Sequence, residues 1–232
     1  MRKFGGKKGK KKLHVRPAMP SFRYRLLTDV PLPTREEIQA GIKALSVDPG
    51  KTHFALNLQL RRGRSVTTLI WEFKALMDLI GKPLIVENHT LHYVALNRYL
   101  ASWHAQMADL RLFVVETQLS DEMTRIQQHC ISWISIYFPQ ACIVEIDQNL
   151  RYEVFGIPKR LEHNELKRAI VEIAERLAVQ AGDRTASTVI ENYLSVVRKR
   201  EEEGKTKRDP FRIHDMTDAY VQVEALLLHV GL

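Results

Sequence analysis

Three kinds of feature are scarce or missing in this chain of 232 residues. It has two cysteines, Cys130 and Cys142, and neither stands in a metal-ligand spacing, so we expect no zinc site, no disulfide scaffold and a reducing, intracellular compartment. No run of 18 apolar residues and no secretory N-terminal segment occurs, so no membrane association is predicted. A Walker A loop is missing as well, because Gly50-Lys51-Thr52 lacks the upstream glycine of such loops.

Acidic residues are absent from the first 25 positions, where ten of the 35 basic residues lie. The formal charge of +8 is therefore a property of this segment, since the rest of the chain holds 25 basic and 27 acidic residues. A basic tail can hold DNA through counterion release without reading its sequence. A solvated tail and a nuclear-import signal are the alternatives. Because four prolines interrupt this region, we expect residues 1–35 to be an unstructured tail and residues 36–232 to form one domain.

The apolar pattern of the remaining chain predicts an α/β fold. Strands expected at 44–47, 53–60 and 65–73 are joined by short turns, which is typical of an antiparallel meander. Later strand signals at 84–86, 110–115 and 141–146 alternate with helical periodicity. The helices are expected at about 89–108, 119–137, 162–180, 186–200 and 214–229. Since this alternation implies parallel pairing, we expect a mixed five-stranded sheet flanked by helices, with a helical insertion before the last helix.

Four acidic residues stand where a strand ends or a helix begins. Asp48 closes the first strand before a Pro-Gly turn, and Glu116 closes the apolar strand 110–115. Asp215 and Asp218 lie three residues apart at the start of the last helix, so both carboxylates share one face. Each has an ordinary structural explanation, either as turn chemistry or as a favourable charge in a first helical turn. A convergent set of carboxylates is also what hard divalent cations such as Mg²⁺ require.

Some neighbouring residues are alternatives or additions to this set. Glu87 and Glu145 also follow or lie within strand signals, so either could stand in place of Glu116. A basic residue just before the last helix could neutralise charge that develops during phosphoryl transfer, and we take Lys207 as the candidate. A solvated loop explains the same residues equally well. The basic residues of this segment are Lys205, Lys207, Arg208 and Arg212.

Three segments of the chain, taken in order, resemble the motifs of one nuclease family. The segments SVDPGKTHFALNLQL, VVETQ and HDMTDAYVQVEALL are similar to the motifs of RuvC-type Holliday junction resolvases in the ribonuclease H-like superfamily. The likeness spans roughly residues 44–229 and is greatest to the poxviral, giant-virus and fungal mitochondrial branch. One departure is Thr117, which separates Glu116 from Gln118 where the family often has Gln directly after Glu.

This resemblance implies a function and a ligand set. It implies that Asp48, Glu116, Asp215 and Asp218 hold two Mg²⁺ ions, which Mn²⁺ can replace. The implied reaction is phosphodiester hydrolysis at four-way DNA junctions, with branched DNA as the partner. A related nuclease on RNA–DNA hybrids or flaps, and a non-catalytic protein that binds DNA structures, are the alternatives.

A homodimer is expected because a four-way junction presents paired, symmetry-related strands. The helix at 119–137 carries an apolar stripe at spacings of three and four, which could form the dimer interface. The same stripe could instead pack on the sheet. Its members are Leu119, Met123, Ile126, Cys130, Trp133 and Tyr137.

Overall fold

The computed structural model describes residues 22–50, 54–76, 89–158, 160–204 and 213–232. Within these ranges a six-stranded sheet carries helices on both faces. The strands are β1 (Tyr24–Leu26), β2 (Ile42–Asp48), β3 (Phe54–Arg62), β4 (Ser65–Lys74), β5 (Leu110–Glu116) and β6 (Cys142–Ile146). The helices are α1 (Arg35–Ala40), α2 (His89–Ser102), α3 (Asp121–Tyr137), α4 (Asn149–Val154), α5 (His163–Ala181), α6 (Arg184–Glu202) and α7 (Ile213–His229). Among these helices, none is long and apolar enough to cross a bilayer.

The order of strands across the sheet is β1-β6-β5-β2-β3-β4. Strands β2, β3 and β4 form an antiparallel meander, whereas β2, β5 and β6 run parallel to one another. The predicted α/β class, a mixed sheet flanked by helices, is confirmed. The predicted helical insertion is confirmed as well, since α5 and α6 precede α7.

The sheet has one strand more than the five predicted. Tyr24–Leu26 pairs antiparallel with Val144–Ile146 and covers the outer edge of β6, so the expectation of an unstructured stretch is wrong there. Covering this edge satisfies backbone groups that β6 would otherwise leave unpaired. Two basic residues predicted to belong to a free tail instead pair with acids of the domain: Arg23 with Glu153, and Arg25 with Glu145. Residues 1–21 lie outside the described ranges.

Other boundaries differ less from the prediction. Helix α2 ends at Ser102 rather than near residue 108, because the chain turns before β5 and Asp109 adopts a positive φ of 62°. Helix α4 was not predicted, since it holds only six residues and directly follows a strand. The predicted strand at 84–86 lies outside the described residues.

Hydrophobic cores cover both faces of the sheet. On one face, α2 and α3 pack against side chains of β2, β3 and β5 such as Leu45, Leu56 and Phe113. On the other face, α7 packs through Val223 and Leu226 against β2, β5 and β6. A third cluster joins α5 and α6 to the N-terminal half of α7. The side of the sheet that carries α7 is therefore also the side on which the insertion sits.

The apolar stripe of α3 lies mainly in the core. Ile126, Cys130 and Trp133 are buried in the cluster that covers one face of the sheet, and Met123 packs against it. Leu119 and Tyr137 remain exposed at 69% and 52%. The stripe is consequently a packing surface of the domain, which makes it unsuitable as the predicted dimer interface. The dimer itself stays a prediction.

Candidate metal centre

Two of the predicted acids lie at the carboxyl ends of adjacent parallel strands. Val47 of β2 is in register with Val115 of β5, so Asp48 and Glu116 follow side by side. Side chains of a strand alternate between the two faces of a sheet, so Asp48 lies on the same face as Ala44, and Glu116 on the same face as Val114. Ala44 and Val114 belong to one hydrophobic cluster, so both acids share its face of the sheet. That face is the one covered by α7.

Helix α7 is fixed to the sheet by hydrogen bonds from side chains of three neighbouring strands. The Ser46 hydroxyl donates to the carbonyl of Ala219, and Gln59 Nε2 donates to the carbonyl of Tyr220 at 3.3 Å. The indole N–H of Trp71 donates to the carbonyl of Met216 at 2.8 Å. These hydrogen bonds hold the first two turns of α7, and they therefore determine where Asp215 and Asp218 lie.

The side chains of Asp48, Asp215 and Asp218 converge at this place. One carboxylate oxygen from each lies within 4.8 Å of the others, and all three side chains are half-buried. Three carboxylates from two elements are a donor set that suits a hard divalent cation, which prefers oxygen ligands. The described residues therefore fit the metal that the sequence predicted, with Asp48, Asp215 and Asp218 as its holders.

The electrostatics of the cluster are unfavourable without a cation. Burial raises the pKa of the Asp48 carboxyl well above its usual value, and the neighbouring charges of Glu116 and Asp218 raise it further. Burial also raises the pKa of Asp218, to about 6, although the Arg151 guanidinium opposes this shift. Like charges that crowd together in this way are usually retained for a functional reason.

Glu116 reaches the same site but is engaged differently. Its Oε2 atom accepts a hydrogen bond from Arg151 Nη1 and another, at 3.3 Å, from Gln222 Nε2. Both donors are buried side chains, so the Glu116 carboxylate is paired with the guanidinium group of Arg151. Gln118, two residues further along in the predicted second motif, donates from its side-chain Nε2 to the Glu116 backbone carbonyl at 3.4 Å.

Arg151 is a residue of this site that the sequence did not reveal. It lies in the short helix α4, is only 6% exposed, and places its Nε atom 3.3 Å from Asp218 Oδ1 in addition to its pair with Glu116. Its only sequence signal is position, five residues after the carboxyl end of the parallel strand β6. Residues that follow parallel strands are the usual source of site residues in open α/β sheets.

A second basic residue comes from the insertion. The Nζ atom of Lys167 in α5 lies 2.8 Å from His214 Nε2. The same Nε2 atom of His214 lies 3.0 Å from Asp215 Oδ1. The insertion thus delivers a positive charge to the edge of the carboxylate cluster. No local pattern in the sequence distinguishes Lys167 from the other lysines of the chain, so its position depends on the fold.

Glu145, one of the two alternatives to Glu116, does not belong to the carboxylate cluster. Glu145 forms its contacts away from the cluster, with Arg25 and with Gln127 Nε2 at 2.7 Å. It is in register with Val115 and therefore lies on the opposite face of the sheet from Glu116. Glu87 and Lys207, together with Lys205, Arg208 and Arg212, lie outside the described residues.

Comparisons with known proteins gave similarities of structure only. No protein-family model and no curated protein matches this chain. A structure of Thermus thermophilus RuvC is 11% identical with a TM-score of 0.48, over 82% of this chain and 97% of that one. A T. thermophilus RuvC structure in complex with a Holliday junction substrate is 13% identical, with a TM-score of 0.46 over 82% and 96% of the two chains. The yeast mitochondrial Holliday junction resolvase Ydc2 is 12% identical, with a TM-score of 0.46 over 81% and 82%.

Proposed function

We propose that this chain is a divalent-metal-dependent endonuclease that cuts branched DNA, with four-way junctions as its substrate. The observation that carries the proposal is the convergence of Asp48, Asp215 and Asp218 within 4.8 Å at the ends of β2 and α7. Three half-buried carboxylates placed this close together are costly to keep, and the pKa values of two of them, Asp48 and Asp218, are raised.

The residues around the cluster fit phosphodiester hydrolysis. A divalent cation bound there would polarise the phosphate and lower the pKa of a bound water. Asp48, Asp215 and Asp218 would hold that cation, and Arg151 holds Glu116 in place beside them. Lys167 stands at the edge of the cluster, where an ammonium group can receive a phosphate oxygen. We propose Lys167 for the charge-neutralising role that the sequence suggested for Lys207.

Branched DNA is proposed as the substrate on the sequence motifs and on the charge of the tail. The segments that resemble resolvase motifs contain all four predicted acids, and the structure brings the three of the metal cluster to one place, with Glu116 beside Asp48. Eight basic residues lie within positions 1–21, where they would supply backbone contacts that do not depend on sequence. A twofold dimer, proposed for the same substrate, would place two such centres for paired cuts.

The experiment that tests this proposal compares three labelled substrates in Mg²⁺. The full chain should nick a four-way junction at symmetric positions and should cut an RNA–DNA hybrid and a flap at least tenfold more slowly. Asp48→Asn should bind the junction and not cut it, whereas Glu145→Gln, a buried acid on the opposite face of the sheet, should cut normally. Equal rates on the hybrid would favour the ribonuclease H-like alternative. Junction binding without metal-dependent cutting would favour the non-catalytic binder.

A further inference from the structure

One cation of the chain itself, Arg151, is built into the carboxylate cluster, and a second, Lys167, lies at its edge beside His214. Their charges change how many metal ions the cluster can accept. With His214 counted as neutral, the acids Asp48, Glu116, Asp215 and Asp218 carry a formal charge of −4 when ionised, and Arg151 and Lys167 contribute +2. The remaining charge of −2 is balanced by one divalent cation, whereas two would leave an excess of +2.

The position of Arg151 agrees with this balance. A pair of metal ions about 3.5–4 Å apart needs carboxylates that both ions can share. In this structure the guanidinium group stands between Glu116 and Asp218, with a hydrogen bond to the first and its Nε atom 3.3 Å from the second. Arg151 is thus paired with two of the carboxylates, Glu116 and Asp218, that would have to hold a second ion.

Arg151 is also held firmly where it is. It is 6% exposed, its neighbour Leu150 is fully buried in the core beneath α7, and Glu153 of the same helix pairs with Arg23 at 2.5 Å. A guanidinium group keeps its charge at any ordinary pH, so it cannot leave by losing a proton. Removing it would leave Glu116 buried without its cation, which is strongly unfavourable.

Two buried polar atoms show that this side of the site is incomplete as it stands. The Nε–H of Arg151 and the Oε1 atom of Gln222 are both buried and have no hydrogen-bond partner among the residues that the structure describes. Gln222 uses its amide nitrogen on Glu116, so its free oxygen lies in the same pocket of side chains. Arg151 Nε still lies 3.3 Å from Asp218 Oδ1, so its N–H is near an acid without a hydrogen bond to it, and a bound water could join this donor to the Gln222 oxygen.

We propose that Arg151 takes the place of the second metal ion, so that this site binds one divalent cation through Asp48, Asp215 and Asp218 and not two. The inference rests on the proposed function, since it assumes that the cluster binds a metal. It differs from the two-ion set implied by the sequence motifs by assigning Glu116 to Arg151. Arg151 is accordingly a positioning residue that orients Glu116 and offsets its charge.

The test is a count of bound Mn²⁺ by electron paramagnetic resonance on the full chain without DNA. Wild type should bind one Mn²⁺ per chain. Arg151→Met, which removes the charge but keeps much of the length, should bind two, and Arg151→Lys should restore the count to one. Arg61→Met is the matched control, because Arg61 is equally buried and paired with an acid but lies at the other end of α7, so its count should stay at one.

Circular dichroism identifies any variant that fails to fold. If Arg151→Met is such a variant, the numbers of Mn²⁺ ions bound by wild type and by Arg151→Lys decide whether the inference stands. The Mg²⁺ dependence of junction cutting gives a second readout, with a Hill coefficient near 1 for wild type and a higher value for Arg151→Met. Two Mn²⁺ ions in wild type, or one in folded Arg151→Met, would overturn the inference and leave the proposed nuclease intact. Failure of wild type to bind Mn²⁺ at all would overturn both.

Discussion

Each half of helix α7 lies over a buried arginine–glutamate pair, but the two pairs have different surroundings. Towards the C-terminal end, Arg61 pairs with Glu224 and donates to Gln59 Oε1 at 2.9 Å, so one positive and one negative charge meet. Near the N-terminal end, Arg151 pairs with Glu116 while three further aspartates surround it. The first pair balances its charges, whereas the second leaves a clear excess of acid.

This difference separates a structural ion pair from a binding site on the same helix. Burial of a charge is tolerated when a partner compensates it, as at Arg61. An excess of buried acid costs stability, and the raised pKa values of Asp48 and Asp218 express that cost. We therefore assign the proposed activity to the N-terminal end of α7 and expect the C-terminal end to contribute stability only.

The largest expected effect is on cleavage. Asp48→Asn or Asp218→Asn should lower the rate of junction cutting by about 10³-fold or more, because each removes a charged ligand from a three-carboxylate set. Junction affinity should change by no more than a few-fold, measured by gel shift in Ca²⁺. Glu224→Gln at the other end of α7 serves as the control and should cut at close to the wild-type rate. Substantial cutting by Asp48→Asn would contradict the assignment.

The next effect concerns stability at the balanced end. Arg61→Met should lower the free energy of unfolding by about 3 kcal/mol, because it leaves Glu224 without its partner in a largely buried place. Urea denaturation measures this change. The double variant Arg61→Met with Glu224→Leu should recover most of the loss, because both charges are then gone. If the double variant were as unstable as the single one, the pair would not be the reason.

Charge removal at the acidic end should have the opposite sign. The pKa of Asp218 is raised to about 6 in the folded chain, so ionisation of this carboxyl destabilises the fold as pH rises from about 4 to 6. In the presence of EDTA, Asp218→Asn should therefore increase the free energy of unfolding by about 1–3 kcal/mol at pH 7.5. The gain should vanish near pH 4, where both forms are neutral. A destabilised variant at pH 7.5 would show that the carboxylate is a satisfied structural group.

The smallest expected effect concerns the basic N-terminal segment. Arg23 and Arg25 pair with acids of the domain, whereas eight further basic residues lie within positions 1–21. Deletion of residues 1–21 should weaken DNA binding about tenfold at moderate salt and flatten its salt dependence. Replacing Arg25 with Ala should leave the salt dependence unchanged. A truncated chain with the full salt dependence would show that the segment does not contact DNA.

The acids of the site could be predicted from sequence because their positions follow local rules. Strand ends and first helical turns can be recognised within a few residues, which made Asp48, Glu116, Asp215 and Asp218 candidates, and the resemblance to resolvase motifs then selected them as a set. The choice between Glu116 and Glu145 could not be made in the same way. All five residues of β6 are buried, so the pattern around Glu145 does not show which face it occupies.

The cations of the site depend on tertiary structure and were out of reach of the sequence. Arg151 reaches the carboxylate cluster because a six-residue helix packs under α7. Lys167 reaches its edge because the insertion folds back over the end of the sheet. Neither element has a pattern that fixes its direction. The strand Tyr24–Leu26 was missed for a related reason, since its pairing comes from a free sheet edge rather than from its own apolar pattern.

The most direct test of the central claim is to locate the metal by iron-induced cleavage of the protein chain. Fe²⁺ with ascorbate and peroxide releases hydroxyl radicals at the bound ion, and mass spectrometry identifies the cut positions. We predict cuts beside Asp48, Glu116 and Asp215, which Mg²⁺ should suppress and which Asp215→Asn should abolish. Cuts beside Arg61 and Glu224 instead, or no cuts that depend on bound iron, would contradict a metal centre at the N-terminal end of α7.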